Sequence, residues 1–356
     1  MAFDLLEFIR YKDAVVNPRS PWCAHAGADD RIRLSVVIPC YNEEEVIAEL
    51  ERRLCKVCDD LLAGQYEIIL VNDGSRDSTA ALIAEMAARN PAIVGIDLAR
   101  NYGHQVALTA GLSFARGQRI FILDADLQDP PELLPAMMKM MDDGANVVYG
   151  RRSLREGESA FKRRSARWFY RVLGRLSDVK IPFDTGDFRL MDRKTLDVFL
   201  SMPEYYRFVR GMIAWIGLRQ QEIVYARQPR FAGTTKYPLR KMLSFAADAI
   251  TGFSIAPLRF SFYLAIAFIF LAFALGIFIF SWWYLYGNVH GFTAGVLIFL
   301  TFSAIQMFCI SIIGEYVGRS YMQSKNRPLF VVDQVYATER AGRTGVTPTL
   351  ISDETR

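Results

Sequence analysis

Residues Arg119–Glu132, RIFILDADLQDPPE, decide how the rest of this chain is read. The apolar run Ile120–Leu123 stops at two acids one residue apart, Asp124 and Asp126, and Gln128, Asp129 and a Pro-Pro pair follow. This pattern predicts a buried strand that delivers carboxylates to a sheet edge. In open α/β sheets ligands bind beyond the carboxyl ends of the strands, and Asp-x-Asp placed there suits a hard divalent cation, Mg²⁺ or Mn²⁺, holding a diphosphate. A solvated acidic turn is the competing reading of the same residues.

The flanking sequence alternates strands with helices. Leu34 to Ile38 reads as a strand, followed by Pro39-Cys40-Tyr41-Asn42-Glu43 and a helical pattern to about Leu62. Ile68 to Val71 runs into Asn72-Asp73-Gly74-Ser75, with Asp77 or Ser78 capping a helix to about Arg89. Ile93 to Leu98 is a third strand, Gly103 to Ala115 a helix, and Asn146 to Tyr149 a strand ending in Gly150-Arg151-Arg152. Near-continuous apolar strands separated by helices predict βαβ units and a mostly parallel, Rossmann-like sheet. No G-x-G-x-x-G follows the first strand and no G-x-x-x-x-G-K-[ST] occurs, which sets aside dehydrogenases and P-loop enzymes. Thr185 to Met191 reads as a turn entering a strand. Phe161 to Ser177 is a basic helical stretch, either a solvated face or one that collects phosphate or lipid headgroups.

Apolar residues make up 52% of the 356 and aromatics 13%, and the excess is concentrated near the C-terminus. Phe260 to Val289 and Gly291 to Gly314 contain no Asp, Glu, Lys or Arg, and each exceeds the roughly 20 residues that cross a bilayer. Two spans joined by a short link form a hairpin. Lys236, Arg240, Lys241 and Arg259 precede it and Arg319, Lys325 and Arg327 come after it, so the positive-inside rule puts both termini, and with them the α/β domain, on the cytoplasmic side of the inner (plasma) membrane. The N-terminus has no h-region of a secretory signal. Five cysteines fit a reducing compartment, and Cys55 and Cys58, on a predicted helix with no second pair or His cluster, read as a buried or idle pair rather than a redox or zinc site. A net charge of +4, with the basic residues clustered near the membrane approach, favours phosphate and anionic lipid over nucleic acid. The expected organisation is a poorly ordered arm (1–31), an α/β domain (32–235), an amphipathic interfacial segment (236–259), two spans (260–318) and a cytoplasmic tail (319–356).

Taken in order, VVIPCYNE (36–43), VNDGS (71–75) and DADLQD (124–129) make the chain resemble family 2 glycosyltransferases of the GT-A fold. GDFRLMDRK (186–194), the Arg230-to-Lys236 loop, GEYVGR (314–319) and the two-span tail narrow the resemblance to polyprenyl-phosphate glycosyltransferases: bactoprenol glucosyltransferases, aminoarabinose transferases and dolichyl-phosphate mannose synthase. The resemblance implies that Pro39, Tyr41, Glu43 and Asp73 line the nucleotide pocket, and that residues 97–101 close over it. Asp124, Asp126 and Gln128 would surround the metal, and Arg151, Arg230 and Lys236 would grip phosphates, with Arg163, Arg164 and Arg189 as further acceptor-phosphate candidates. A homotetramer is also implied.

The expected reaction is inverting transfer of one sugar from a nucleotide sugar, UDP-glucose first and an amino-arabinose derivative or mannose next, to undecaprenyl phosphate. A phosphate monoester is largely dianionic at pH 7, so no strong base is needed. Asp187 is then a general base, an orienter of Arg189 and the acceptor, or a structural turn residue. A processive polysaccharide synthase, against which the missing Gln-x-x-Arg-Trp counts, and a non-catalytic membrane scaffold are the alternatives.

Overall fold

A computed structural model describes residues 29, 31–153, 185–226, 256–287 and 292–338. They fall into two units, an α/β unit and a helical unit.

The α/β unit is built in chain order from β1 (Leu34–Cys40), α1 (Ile47–Leu62), β2 (Tyr66–Asn72), α2 (Thr79–Arg89), β3 (Ile93–Leu98), α3 (His104–Phe114), β4 (Arg119–Ile122), α4 (Leu134–Asp142), β5 (Val147–Arg152), β6 (Thr185–Asp192), α5 (Arg193–Ser201), α6 (Val209–Ile216), β7 (Gln220–Tyr225) and, after the helical unit, β8 (Val332–Ala337). The strands form one mixed sheet in the order β7-β5-β6-β4-β1-β2-β3-β8. β1 pairs in parallel with β2 on one side and β4 on the other, so the chain moves outward through β2 and β3 and then returns to the opposite side of β1. That reversal is the switch point at which such sheets open a crevice. Both β1 and β2 are buried along their whole length, as the unbroken apolar runs predict for strands covered on two faces.

The strand expected after a turn at Thr185 starts at Thr185 itself: Thr185 to Asp192 is strand throughout, antiparallel to β4 and β5. Its N-terminal end therefore lies at the same edge as the carboxyl ends of β1 to β5. β5 likewise continues through Gly150, Arg151 and Arg152.

One face of the sheet carries Val36, Ile38, Phe121 and Phe188 against Leu50 and Leu54 of α1 and Met137 and Met141 of α4. α3 covers the other face so closely that a Cβ at Gly111 would lie 2.5 Å from Val37 Cγ1 and 2.8 Å from Val71 Cγ2.

In the helical unit, α7 (Ala256–Tyr286) and α8 (Phe292–Ser324) have 31 and 33 residues. At about 1.5 Å per residue each is longer than the roughly 30 Å of bilayer hydrocarbon. Both are long and apolar enough to cross a membrane, and their apolar side chains face outward. Trp282, Trp283, Tyr284 and Tyr286 gather at the end of α7, the kind of aromatic belt found at a membrane–water interface. α8 runs ten residues past the charge-free stretch, and there Arg319 Nε donates to Glu315 Oε1 one turn earlier at 2.8 Å.

Helix propensity alone says that Gly111→Ala should stabilise α3 by about 1 kcal/mol. Overpacking against two stiff valines costs about 1 to 3 kcal/mol, which outweighs it. The expected result is a lower melting temperature for the purified full chain; a raised one would refute the tight α3–sheet contact.

Candidate active site

The loops that leave the carboxyl ends of β1, β2 and β4 form the crevice. Pro39 is in a central strand, where its missing N–H would ordinarily break the ladder. Here Val37 O accepts from Leu123 N and the β1–β4 register ends at Ile122, so the position two residues on faces a side where pairing has stopped. Beyond it, two loops interlock. Asn42 N donates to Ser75 Oγ at 3.0 Å, Glu43 N to Thr79 Oγ1 at 2.9 Å and Glu44 N to Asp77 Oδ2 at 3.3 Å, while Arg76 N returns a bond to Asn42 Oδ1 at 2.8 Å. Asp77 rather than Ser78 supplies the side chain at the start of α2, accepting from Thr79 N at 3.1 Å. Tyr41 stands exposed above this frame.

Asp73 joins two loops. Its two carboxylate oxygens accept from Tyr102 N at 2.7 Å and Gly103 N at 2.9 Å, and Asn101 Nδ2 donates to its carbonyl at 3.0 Å. One carboxylate thus ties the loop after β2 to the loop that leads into α3.

At the end of β4, Leu127 adopts φ +55°, a left-handed conformation costly for a bulky residue, and its buried side chain in the core holds it there. The turn brings Gln128 N to Asp126 Oδ1 at 3.1 Å. Asp124 Oδ1 is buried and accepts no hydrogen bond, with His104 Nε2 3.5 Å away. Burial, then Asp187 and the neighbouring acids, against the pull of His104, push the Asp124 carboxyl up to about 6. An orphaned, under-compensated carboxylate with a second one two residues on fits a hard divalent cation. Among the described residues no group of three or more His, Cys, Asp or Glu could hold a metal. A cation here would take its remaining ligands from phosphate oxygens and water, as Mg²⁺ commonly does.

Asp129 is a different kind of acid: fully buried on the opposite face, it accepts from the Tyr225 hydroxyl and lies 3.4 Å from Arg152 Nη2.

Ile122 pairs with Arg189, and the same register carried two residues further sets Asp187 across from Asp124. Asp187 is 1% exposed. Its Oδ1 accepts from Arg210 Nε at 2.9 Å, and its Oδ2 accepts from Gln105 Nε2 at 2.8 Å and meets His104 Nε2 at 3.1 Å. Burial opposes ionisation, but the Arg210 guanidinium and the His104 hydrogen bond hold Asp187 well below the usual carboxylate range. The same pairing, with the attraction of Asp124, outweighs burial and raises His104 to about 9.

Of the arginines expected to meet phosphate, Arg189 is buried, 3.9 Å from Asp187, and donates to Gly186 O; burial lowers it to about 10. Arg151 is half-exposed and pairs with Glu222 at 3.0 Å. Arg163, Arg164, Arg230 and Lys236 lie outside the described residues, as do nearly all of the N-terminal arm and most of the amphipathic segment. Cys55 and Cys58 are free thiols raised by burial, which fits an inert pair.

Sequence reading missed His104, Gln105 and Arg210. Two signals were available: polar residues immediately after Gly103 at a helix start, and a lone arginine in the otherwise apolar VRGMIAWI of α6.

Comparison with known proteins adds to this geometry. Residues 35–199 match the family described as glycosyl transferase family 2. The uncharacterized glycosyltransferase YkcC of Bacillus subtilis (strain 168) is 44% identical over 86% of this chain and 95% of its own. The prophage bactoprenol glucosyl transferase homolog of Escherichia coli (strain K12) is 35% identical over 85% of this chain and 99% of its own. Among solved structures, glucosyl-3-phosphoglycerate synthase from Mycobacterium tuberculosis aligns at 18% identity over 67% of this chain and 81% of that one, with a TM-score of 0.41. Near-complete coverage of a relative 44% identical, on a GT-A-like, mostly parallel mixed sheet, shows that the chain belongs to glycosyltransferase family 2 and is a glycosyltransferase.

Proposed function

We propose that this enzyme transfers a single glucose from UDP-glucose to the phosphate of a polyprenyl phosphate, undecaprenyl phosphate foremost, with inversion and with Mg²⁺ or Mn²⁺ at the donor diphosphate. One observation carries the reading: Asp124, Asp126 and the buried Asp187 converge at the switch-point edge of a chain that also has two bilayer-length helices. The bactoprenol glucosyl transferase homolog supports the sugar and the lipid class.

Asp124 and Asp126, with Gln128 beside them, would hold the cation, which when bound neutralises charge developing on the leaving diphosphate. Pro39, Tyr41, Glu43 and Asp73 form the nucleotide end of the crevice. Arg151 is available to phosphate because an ion pair between two half-exposed partners is worth at most about 1 kcal/mol. Arg230 and Lys236 would act with it, as the family resemblance implies. Asp187 serves as an orienter and not as a base: three donors from two helices occupy its oxygens, and a dianionic phosphate needs no proton removed. Attack from the face opposite the diphosphate inverts the anomeric carbon in one displacement. The hairpin anchors the α/β unit at the cytoplasmic face, where the acceptor's phosphate lies.

Asp126→Ala is expected to lower turnover by about a hundredfold to a thousandfold, the usual cost of losing one preorganised electrostatic contact. Mass spectrometry of the lipid after incubation with UDP-glucose and Mg²⁺ or Mn²⁺ reads this, and full activity would remove Asp126 from the metal role. In the wild type a single hexosyl addition is expected; a ladder of additions would favour a processive synthase, and no product from any donor despite nucleotide binding would favour the scaffold.

If the hairpin acts as an anchor, the full chain in bilayer discs uses a long-chain polyprenyl phosphate at least about tenfold more efficiently than a short soluble one. Equal efficiencies would refute it.

A further inference from the structure

We infer that Arg210 is the residue that receives the acceptor's phosphate monoester, and that Asp187, with Gln105 and His104, positions it. This rests on the proposed reaction and names the acceptor end of its site.

The cations at this edge differ in whether they can reach a ligand. Arg189 is 4% exposed and turned into its own strand. Arg152 is drawn to Asp129 and Tyr225 on the opposite face. Arg151 is exposed, and it pairs with a surface glutamate. Arg210 alone among these combines anchorage with access. Nε donates to Asp187 at 2.9 Å, Nη1 donates to Thr185 O at 2.8 Å, and 28% of the side chain remains exposed. A guanidinium carries five N–H groups in a rigid fork, so beyond these two bonds the two N–H groups of Nη2 and the second N–H of Nη1 remain to offer a phosphate two-point contact.

Sheet order assigns the anion. On the proposed reaction the nucleotide end would lie over β2 and β1 and the diphosphate would lead toward Asp124, just beyond β4, the neighbour of β1. Asp187 is on β6, the next strand beyond, with Arg210 against it. A second anion must approach the anomeric carbon from the side away from the diphosphate, and that side is where Arg210 stands. A buried carboxylate that takes three donors fixes the guanidinium without allowing it to collapse onto Asp124.

The test uses the full chain in bilayer discs, as wild type, Arg210→Gln, Arg210→Lys and Asp187→Asn. Four quantities are measured: kcat and KM for a long-chain polyprenyl phosphate, KM for a short-chain soluble phosphate monoester, the Kd of UDP by calorimetry, and binding of inorganic phosphate by ³¹P NMR. Arg210→Gln is expected to raise KM for both monoesters about tenfold to a hundredfold, to abolish the inorganic phosphate shift, and to change UDP affinity less than about twofold. Asp187→Asn is expected to give the same acceptor-selective change, which a merely structural role would not, since that would weaken UDP as well. Arg210→Lys keeps the charge without the fork and should fall between, so the inference stays testable if the Gln variant does not fold. Parallel loss of UDP affinity would reassign Arg210 to the donor and overturn the inference, as would unchanged monoester KM or a change confined to the long-chain lipid. A wild type that binds UDP and phosphate yet transfers to no polyprenyl phosphate would sink the proposed reaction instead, while the ³¹P comparison would still judge Arg210.

Discussion

A carboxylate at 1% exposure has to be compensated, because taking an ion out of water costs several kcal/mol even after relaxation. Asp187 meets that requirement with a guanidinium from α6 and an amide and imidazole from the first turn of α3. Two helices that are distant in sequence are therefore pinned to the first residues of β6, and β6 is pinned to β4 by its antiparallel ladder. The edge that carries Asp124 is shaped by this one charge. Removing its carboxylate would leave Arg210 and His104 without their common partner, so its structural and functional roles are inseparable in a simple loss-of-activity measurement.

The strand that ends at Asp124, the loops after β1 and β2, and the two long apolar helices were legible in the sequence because each is a local pattern, an apolar run with an abrupt change of chemistry at its end. Pairing between distant segments was not legible. Thr185 to Met191 read as a turn entering a strand because glycine and aspartate open it, and pairing with neighbours on both sides makes the opening residues strand as well. His104 and Arg210 became visible only once the register placed Asp187 beside them. Asp73 shows the converse: its place at the crevice was expected from resemblance, but its bonds to the backbone of residues 102 and 103 depend on how two loops fold together.

The C-terminal segment carries the same lesson. Residues 319–356 read as a tail, and within them Phe330 is fully buried, Ala99 N donates to Val331 O, and β8 adds an antiparallel strand to β3. Tyr336 and Ile83 close over Gly95, and Thr338 Oγ1 reaches Ala87 O. Cutting the chain before the spans would strip this strand and expose the edge of β3, a liability in any sheet. Loss of transfer in such a truncation would thus report on the α/β unit as much as on membrane anchoring, which is why the comparison of long and short acceptors on the full chain is the cleaner measurement.

The proposed reaction brings two phosphate-bearing substrates together, and the described residues would divide that electrostatic problem by strand. At β4 the carboxylates are in excess, Asp124 most of all, which suits a cation shared with the diphosphate. At β6 the balance reverses: one carboxylate faces both an imidazole and a guanidinium, which hold it well below the usual carboxylate range. His104 stands between the two, 3.1 Å from Asp187 and 3.5 Å from Asp124. A site with cations spread evenly along the edge would bind either phosphate anywhere. On the proposed reaction, a different excess at each strand would give each anion its own place, with the anomeric carbon between them.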